Sequence, residues 1–166
     1  MKKVLSILFT AILILFANGC SSSETDSKAK VDPKEIEGRI AEALKQMGDK
    51  TNLEIISSNK TEDGKHAIAL SNNIHIFIED NKITLAAMPD AIFTERDDLD
   101  FAFVLLVGIA DESLSYGERH KVVSELGLKG KNNLMDYTKV INHNNVRYTY
   151  VGNKDALLLE AEIKDG

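Results

Sequence analysis

The chain of 166 residues has one cysteine, two prolines and no tryptophan, and aromatic residues make up 6% of it. A single thiol at Cys20 cannot form an internal disulfide. Beyond residue 20 there is no cysteine, which excludes thiolate catalysis and cysteine-ligated metal in the body of the protein. Positive charge is also in deficit. Lys and Arg number 20 against 26 Asp and Glu, a net charge of −6. An acidic surface argues against nucleic acid and against lying flat on anionic lipid. Apolar runs are short. Val4 to Ala17 is apolar almost throughout and Phe101 to Ala110 is apolar without break. Neither reaches the roughly twenty residues of a spanning helix.

The lone cysteine sits at a boundary. Met1-Lys2-Lys3 supplies two positive charges, the run to Ala17 comes next, then Ala17-Asn18-Gly19-Cys20, then a polar tract from Ser21 to Lys30. This is the n-region and h-region pattern of an export signal. Residues 1 to 20 resemble the leader of bacterial prolipoproteins, whose lipobox ends in a small residue and then Cys. The resemblance implies cleavage before Cys20 and a thioether-linked diacylglycerol on its sulfur, with acyl chains such as palmitate. The expected product is a lipoprotein on the membrane, facing outside the cytoplasm. Two acyl chains meet the two-signal requirement for stable anchoring, at about 0.8 kcal/mol per buried CH₂. Removing residues 1–19 takes two lysines with it, so −6 becomes −8. Residues 20–32 read as a lipidated cysteine and flexible tether, because the polar, small side chains from Ser21 to Lys30 have too little apolar surface to order themselves. Residues 33–166 are long enough for one domain with a core.

Within that domain the patterning predicts an α+β fold. The order is helix, four-strand meander, two helices, three-strand meander, with a helix packed on a curved antiparallel sheet, or two sheets. Asp32-Pro33-Lys34-Glu35 starts the first helix as N-cap, N1 and the N3 acid of a capping box. Ile36, Ile40, Ala43, Leu44 and Met47 share one face, and Gly48 ends it. Strands are expected over Leu53–Ser58, His66–Leu70, Ile74–Ile78 and Ile83–Met88. Pairing Glu79 with Lys82 aligns Ile78 with Ile83, Ile76 with Leu85 and Ile74 with Ala87; Ile68 then faces Ile76. The first helix is expected to cover this apolar face. A second helix runs from about Glu95 to Ala110. A third starts at the box Ser115-Tyr116-Gly117-Glu118 and stops at Gly127-Leu128. Tyr137–Asn142, Val146–Val151 and Ala156–Ile163 close the chain, with Ile141 opposite Tyr148, Tyr150 opposite Leu157 and Tyr148 opposite Leu159. Lys50-Thr51-Asn52-Leu53 and Lys131-Asn132-Asn133-Leu134 occupy similar places, which leaves a degenerate duplication open.

Function is less legible. The other sheet face carries Ala67, Ala69, His75, Phe77, Thr84, Ala86 and Met88, less polar than a solvated face, so another element or a partner covers it. His75 and Phe77 are the candidate partner-facing residues. Ser57-Ser58-Asn59-Lys60 matches Ser-x-x-Lys, but that pairing needs a helix and these residues lie at a strand end. His66, His75, His120 and His143 lack ligand spacing, with His66 on the inner sheet face and His75 on the outer. Asp97, Asp98 and Asp100 suit a helix start, and Asp111 and Glu112 a loop; neither group has a calcium-loop pattern. No cofactor or metal is expected. The reading is a membrane-anchored, non-catalytic binding domain for a protein partner at the cell envelope. The alternatives are an envelope hydrolase, using for example His120 with loop acids, or a small-ligand carrier with a pocket between helix and sheet.

Overall fold

The computed structural model describes residues 30–130 and 134–164. The leader, Cys20 and most of the tether lie outside the described residues. The elements are α1 (Pro33–Met47), a 3₁₀ turn (Gly48–Lys50), β1 (Ser57–Lys60), β2 (His66–Ala69), β3 (Ile74–Glu79), β4 (Lys82–Ala87), a short α2 (Ala91–Thr94), α3 (Arg96–Ala110), α4 (Tyr116–Glu125), β5 (Tyr137–His143), β6 (Val146–Gly152) and β7 (Leu157–Ile163). All seven strands form one antiparallel sheet in the order β1-β2-β3-β4-β7-β6-β5. The two meanders meet last strand to last strand, with Leu85 of β4 opposite Leu159 of β7. Among the described residues no helix is long and apolar enough to cross a membrane.

Local chemistry sets the element ends. The Asp32 carboxylate accepts from the Lys34 amide, and Pro33 stands at the start of α1. Glu35 does not close a capping box; its carboxylate goes to Arg39, one turn on, where a guanidinium outcompetes a backbone amide. Ser115 and Glu118 do form the reciprocal box that starts α4. After α4, Leu128 N–H donates to Val123 O and Gly127 N–H to Ser124 O, with Gly127 at φ 73°. That is the paired 6→1 and 5→2 pattern of a Schellman stop.

The β2–β3–β4 register follows the sequence expectation: Ile68 faces Ile76, Ile76 faces Leu85 and Ile78 faces Ile83. Ile141 faces Tyr148. The β6–β7 register differs, because Tyr150 faces Leu159 and Tyr148 faces Ala161. The connection is longer than a tight turn. The Asn153 carboxamide accepts from the amides of Asp155 and Ala156, and Asn153 N–H donates to Ala156 O. A slip of two residues keeps each side chain on its expected face, which is why the face assignment survives. The first strand also moves, to Ser57–Lys60. Glu54 and Ile56 already donate to Leu70 and Ala69, while Leu53 turns into the core.

The central cover is α3, not α1. It packs over β4 and β7, with Leu99, Ala102, Phe103 and Leu106 fully buried. α1 buries only Ile36 and Ile40 and flanks α3 on one side, while α4 packs against α3 with Val122 and Val123 buried. The reason is stripe width. α3 is apolar nearly all round, and each large side chain removed from water is worth about 1.5–3 kcal/mol. An all-round apolar helix must take the middle position.

Candidate functional site

The sheet register arranges the outer face in three rows. The first reads Ala69, His75, Ala86, Leu158, Val151 across β2, β3, β4, β7 and β6. The second reads Ala67, Phe77, Thr84, Glu160, Thr149. The third is charged with alternating sign: Glu79, Lys82, Glu162, Arg147. Lys65 reaches Glu79 at 3.0 Å and Lys82 reaches Glu160 at 3.2 Å. His75 and Phe77 lie beside each other with ring centroids 6.4 Å apart, both half-buried. Ala86, Ala156 and Leu158 form a small apolar cluster on this face, and Phe77 packs against it. Burial pushes the His75 imidazole below its ordinary value, against a hydrogen bond with the Asn72 backbone that raises it.

The Ser-x-x-Lys stretch is on β1, as the strand reading requires. Its serine has other partners. Ser58 Oγ lies 2.8 Å from His66 Nε2 and 2.6 Å from the Glu37 carboxylate, on the inner side of the edge hairpin. Glu37 also approaches His66 Nε2, at 3.5 Å. This is a serine, a histidine and a carboxylate in contact, yet it is not ordered as a charge-stabilised nucleophile. In that arrangement the acid holds the far ring nitrogen and frees the near one to take the serine proton. Here both groups crowd the same nitrogen, so the hydroxyl proton goes to Glu37. The cluster joins α1 to the β1–β2 hairpin. Sequence reading missed it because Glu37 comes from another element.

The acids take separate roles. Asp97 and Asp98 stand in the first turn of α3. Asp98 accepts from Thr51 Oγ1 at 2.7 Å, Asn52 N at 2.9 Å and Asn52 Nδ2 at 3.1 Å. Burial pushes this carboxyl up, but the three hydrogen bonds outweigh it and hold it below its ordinary value. Asp111 lies between α3 and α4, as expected, and accepts from Ser113 and, at 2.6 Å, from Asn144 in the β5–β6 turn. His120 does not join it; its ring stands edge-on to Tyr116 at 4.5 Å. Burial pushes the Asp111 carboxyl up, but hydrogen bonds from Ser113 and Asn144 hold it below its ordinary value. Among the described residues no group of three or more His, Cys, Asp or Glu converges as a metal site.

A broad concavity lies on the helical side. α1 and α4 straddle α3, and the outward stripe of α3 floors a valley between them. Phe101, Val104, Leu105, Gly108 and Ile109 recur at helical spacing there, and all but Phe101 are buried. Two cavities open along it. One, of about 570 Å³, lies between Gly38–Gln46 of α1 and Arg119 of α4. The other, of about 250 Å³, lies between Met47 and the Tyr116–His120 pair. Both sit between helices, whereas the small-ligand reading expects a pocket between helix and sheet. Arg119 projects over the floor. Its Nε donates to Leu114 O at 2.9 Å, and its guanidinium fills the space a Cβ on Gly108 would need. Across the valley Arg39 donates to Ile109 O and pairs with Glu35 and Glu112. The signal for this site is present in the sequence: Phe101–Ala110 is apolar on every side, although only one side of α3 can face a sheet. No protein-family model matches this chain, and no curated protein or solved structure matches it.

Proposed function

We propose that the chain is a lipoprotein anchored to a membrane through Cys20, with a single extracytoplasmic α+β domain that binds a partner and performs no chemistry of its own. The observation that carries this is the leader pattern ending Ala17-Asn18-Gly19-Cys20, with no second thiol for that sulfur to pair with. Two structural facts support it. Val31 N–H donates to Asp80 O, so the chain enters the domain beside the β3–β4 turn. That end of the sheet carries the alternating charged row, the surface suited to face headgroups and water. The residues from Cys20 to Val31 span at most about 39 Å at roughly 3.5 Å each, which keeps the domain close to the bilayer and raises its local concentration there.

The test is the state of residue 20. Intact-mass analysis of the native protein should show the loss of residues 1–19 and the added mass of lipid. Cys20→Ser should leave the membrane fraction. An unmodified sulfur on a retained leader overturns the proposal. The face around His75 and Phe77 is the proposed sheet-side contact, and Phe77→Asp tests it. Lost partner capture with an unchanged melting curve supports a contact role; unfolding makes Phe77 core.

A hydrolase is the second reading; Ser58 lies 2.8 Å from His66, although in this arrangement its hydroxyl proton goes to Glu37. Turnover of ester or peptide substrates that Ser58→Ala abolishes would establish it. Inactivity of the intact protein across such substrates removes it.

A further inference from the structure

We infer that the free edge of β5 pairs with the same edge of a second copy of this chain, antiparallel and centred on Val140, so that the two sheets run on as one. The contact uses neither the His75–Phe77 face nor Cys20.

Backbone direction along the last meander leaves β5 with unpaired groups. Asn145 O, in the β5–β6 turn, accepts from Lys164 N and so points toward β7. Direction alternates along an antiparallel strand, so Val146, Tyr148, Tyr150 and Gly152 turn their N–H and C=O groups toward β5. Their partners there are His143, Ile141, Lys139 and Tyr137. Thr138, Val140 and Asn142, which lie between, therefore point both backbone groups away from the sheet. Among the described residues nothing pairs with those groups.

The two edges of the sheet differ. β1 has four residues, is polar throughout and ends in Lys60, and a short, charged strand is a blunted edge. β5 has seven residues, pairs with β6 without interruption and holds no proline. Thr138, Lys139, Val140 and Asn142 are all exposed, so neither face of the strand is overhung. Val140 is a large apolar side chain left 43% exposed.

β5 also fits itself. Pairing Val140 with the copy's Val140 sets Thr138 opposite Asn142 and Asn142 opposite Thr138, so every outward group on both strands finds a partner. The two exposed valines then cover each other. On the opposite face Lys139 stands across from Ile141, and Tyr137 from His143. Centred one residue earlier, Lys139 would face its own copy. Centred one residue later, Thr138 would fall opposite Asn144, which stands in the turn at φ 50°. The lysine thus selects the register rather than closing the edge. The two-fold axis stands perpendicular to the sheet, and the assembly closes after two chains.

The test uses the full chain extracted in detergent with micelles in large excess. Light scattering counts chains per particle, and amide exchange is read residue by residue. Concentrated wild type should hold two chains per particle with the Thr138, Val140 and Asn142 amides protected. That protection should be lost on dilution to the single chain. Val140→Pro should give one chain per particle with an unchanged circular dichroism spectrum, because a proline whose missing N–H points off an edge leaves the sheet's own ladder intact. Val140→Glu and Val140→Lys should each be single chains, since like charges then meet on the two-fold, and mixing them should restore the pair. A wild type that stays single at every concentration overturns the inference, and the edge is then left to an extended segment of another protein. A two-chain particle in which those three amides exchange freely also overturns it. So do Val140→Glu and Val140→Lys chains that pair when alone or stay single when mixed. The mass of residue 20 is unaffected by any of these outcomes, so the two proposals fail separately.

Discussion

Gly152 and Tyr150 show how single atoms fix the edge of this fold. Tyr150 O–H donates to Leu134 O at 2.9 Å, and both residues are fully buried. A Cβ on Gly152 would overlap that same carbonyl oxygen, which belongs to the backbone and cannot yield. Gly152→Ala should therefore cost about 2–4 kcal/mol, as overpacking against backbone does. Tyr150→Phe should cost about 1–3 kcal/mol by leaving Leu134 O unpaired. Urea denaturation of the two variants checks both, and a Gly152→Ala as stable as wild type would refute the close approach. Asp98 carries a pH signature. Its carboxyl is held below its ordinary value of 3.8 in the folded state. The folded state then binds fewer protons than the unfolded one as pH falls. Stability from Asp98 is present above the ordinary value and is lost as pH drops through the folded value. Asp98→Asn should be less stable at neutral pH and should lose less stability between neutral and acid pH than wild type. Parallel pH profiles of the two would dismiss the assignment.

At the level of elements, α4 is bounded by two motifs that were readable from a few residues each. Ser115-x-x-Glu118 and Gly127-Leu128 both formed as the sequence predicts, because each joins groups within one turn of helix. Gly127 stands at φ 73° with the Tyr137 hydroxyl against its open side. Gly127→Ala should cost about 1–2 kcal/mol through the left-handed backbone and the displaced phenol, measured as a shift in denaturation midpoint. Elements joined by long-range choices were less legible. The β6–β7 register depends on how Asn153 folds its own carboxamide onto Asp155 and Ala156, and the turn residues alone permit a shorter loop. The capping role expected of Glu35 was lost to Arg39, whose other contacts are to Ile109 and Glu112, far along the chain.

Across the whole molecule, α3 and the β4–β7 seam form the centre, and β1 and β5 are the edges. Hydrogen exchange should follow this order. Amides of β4 and β7, paired on both sides and covered by α3, should exchange slowest, and those of β1 fastest among the strands. Faster exchange in β4 than in β1 would contradict the topology. The same arrangement gives the domain two unlike faces. The sheet side holds the half-buried His75 and Phe77, and the helical side holds the cavity lined by Arg39 and Arg119.

The sequence by itself determined the Asp32 cap, the ends of α4, the strand faces, the α+β class and the leader-like pattern at Cys20. These depend on residues a few positions apart, where periodicity and turn chemistry act directly. Only the tertiary structure decided that one sheet forms, that α3 rather than α1 covers it, that Ser58 meets His66 and Glu37, and that Arg119 overhangs Gly108. Each of those joins side chains from separate elements. Their meeting is set by which apolar surfaces bury most area against one another, a competition that no local stretch of residues records.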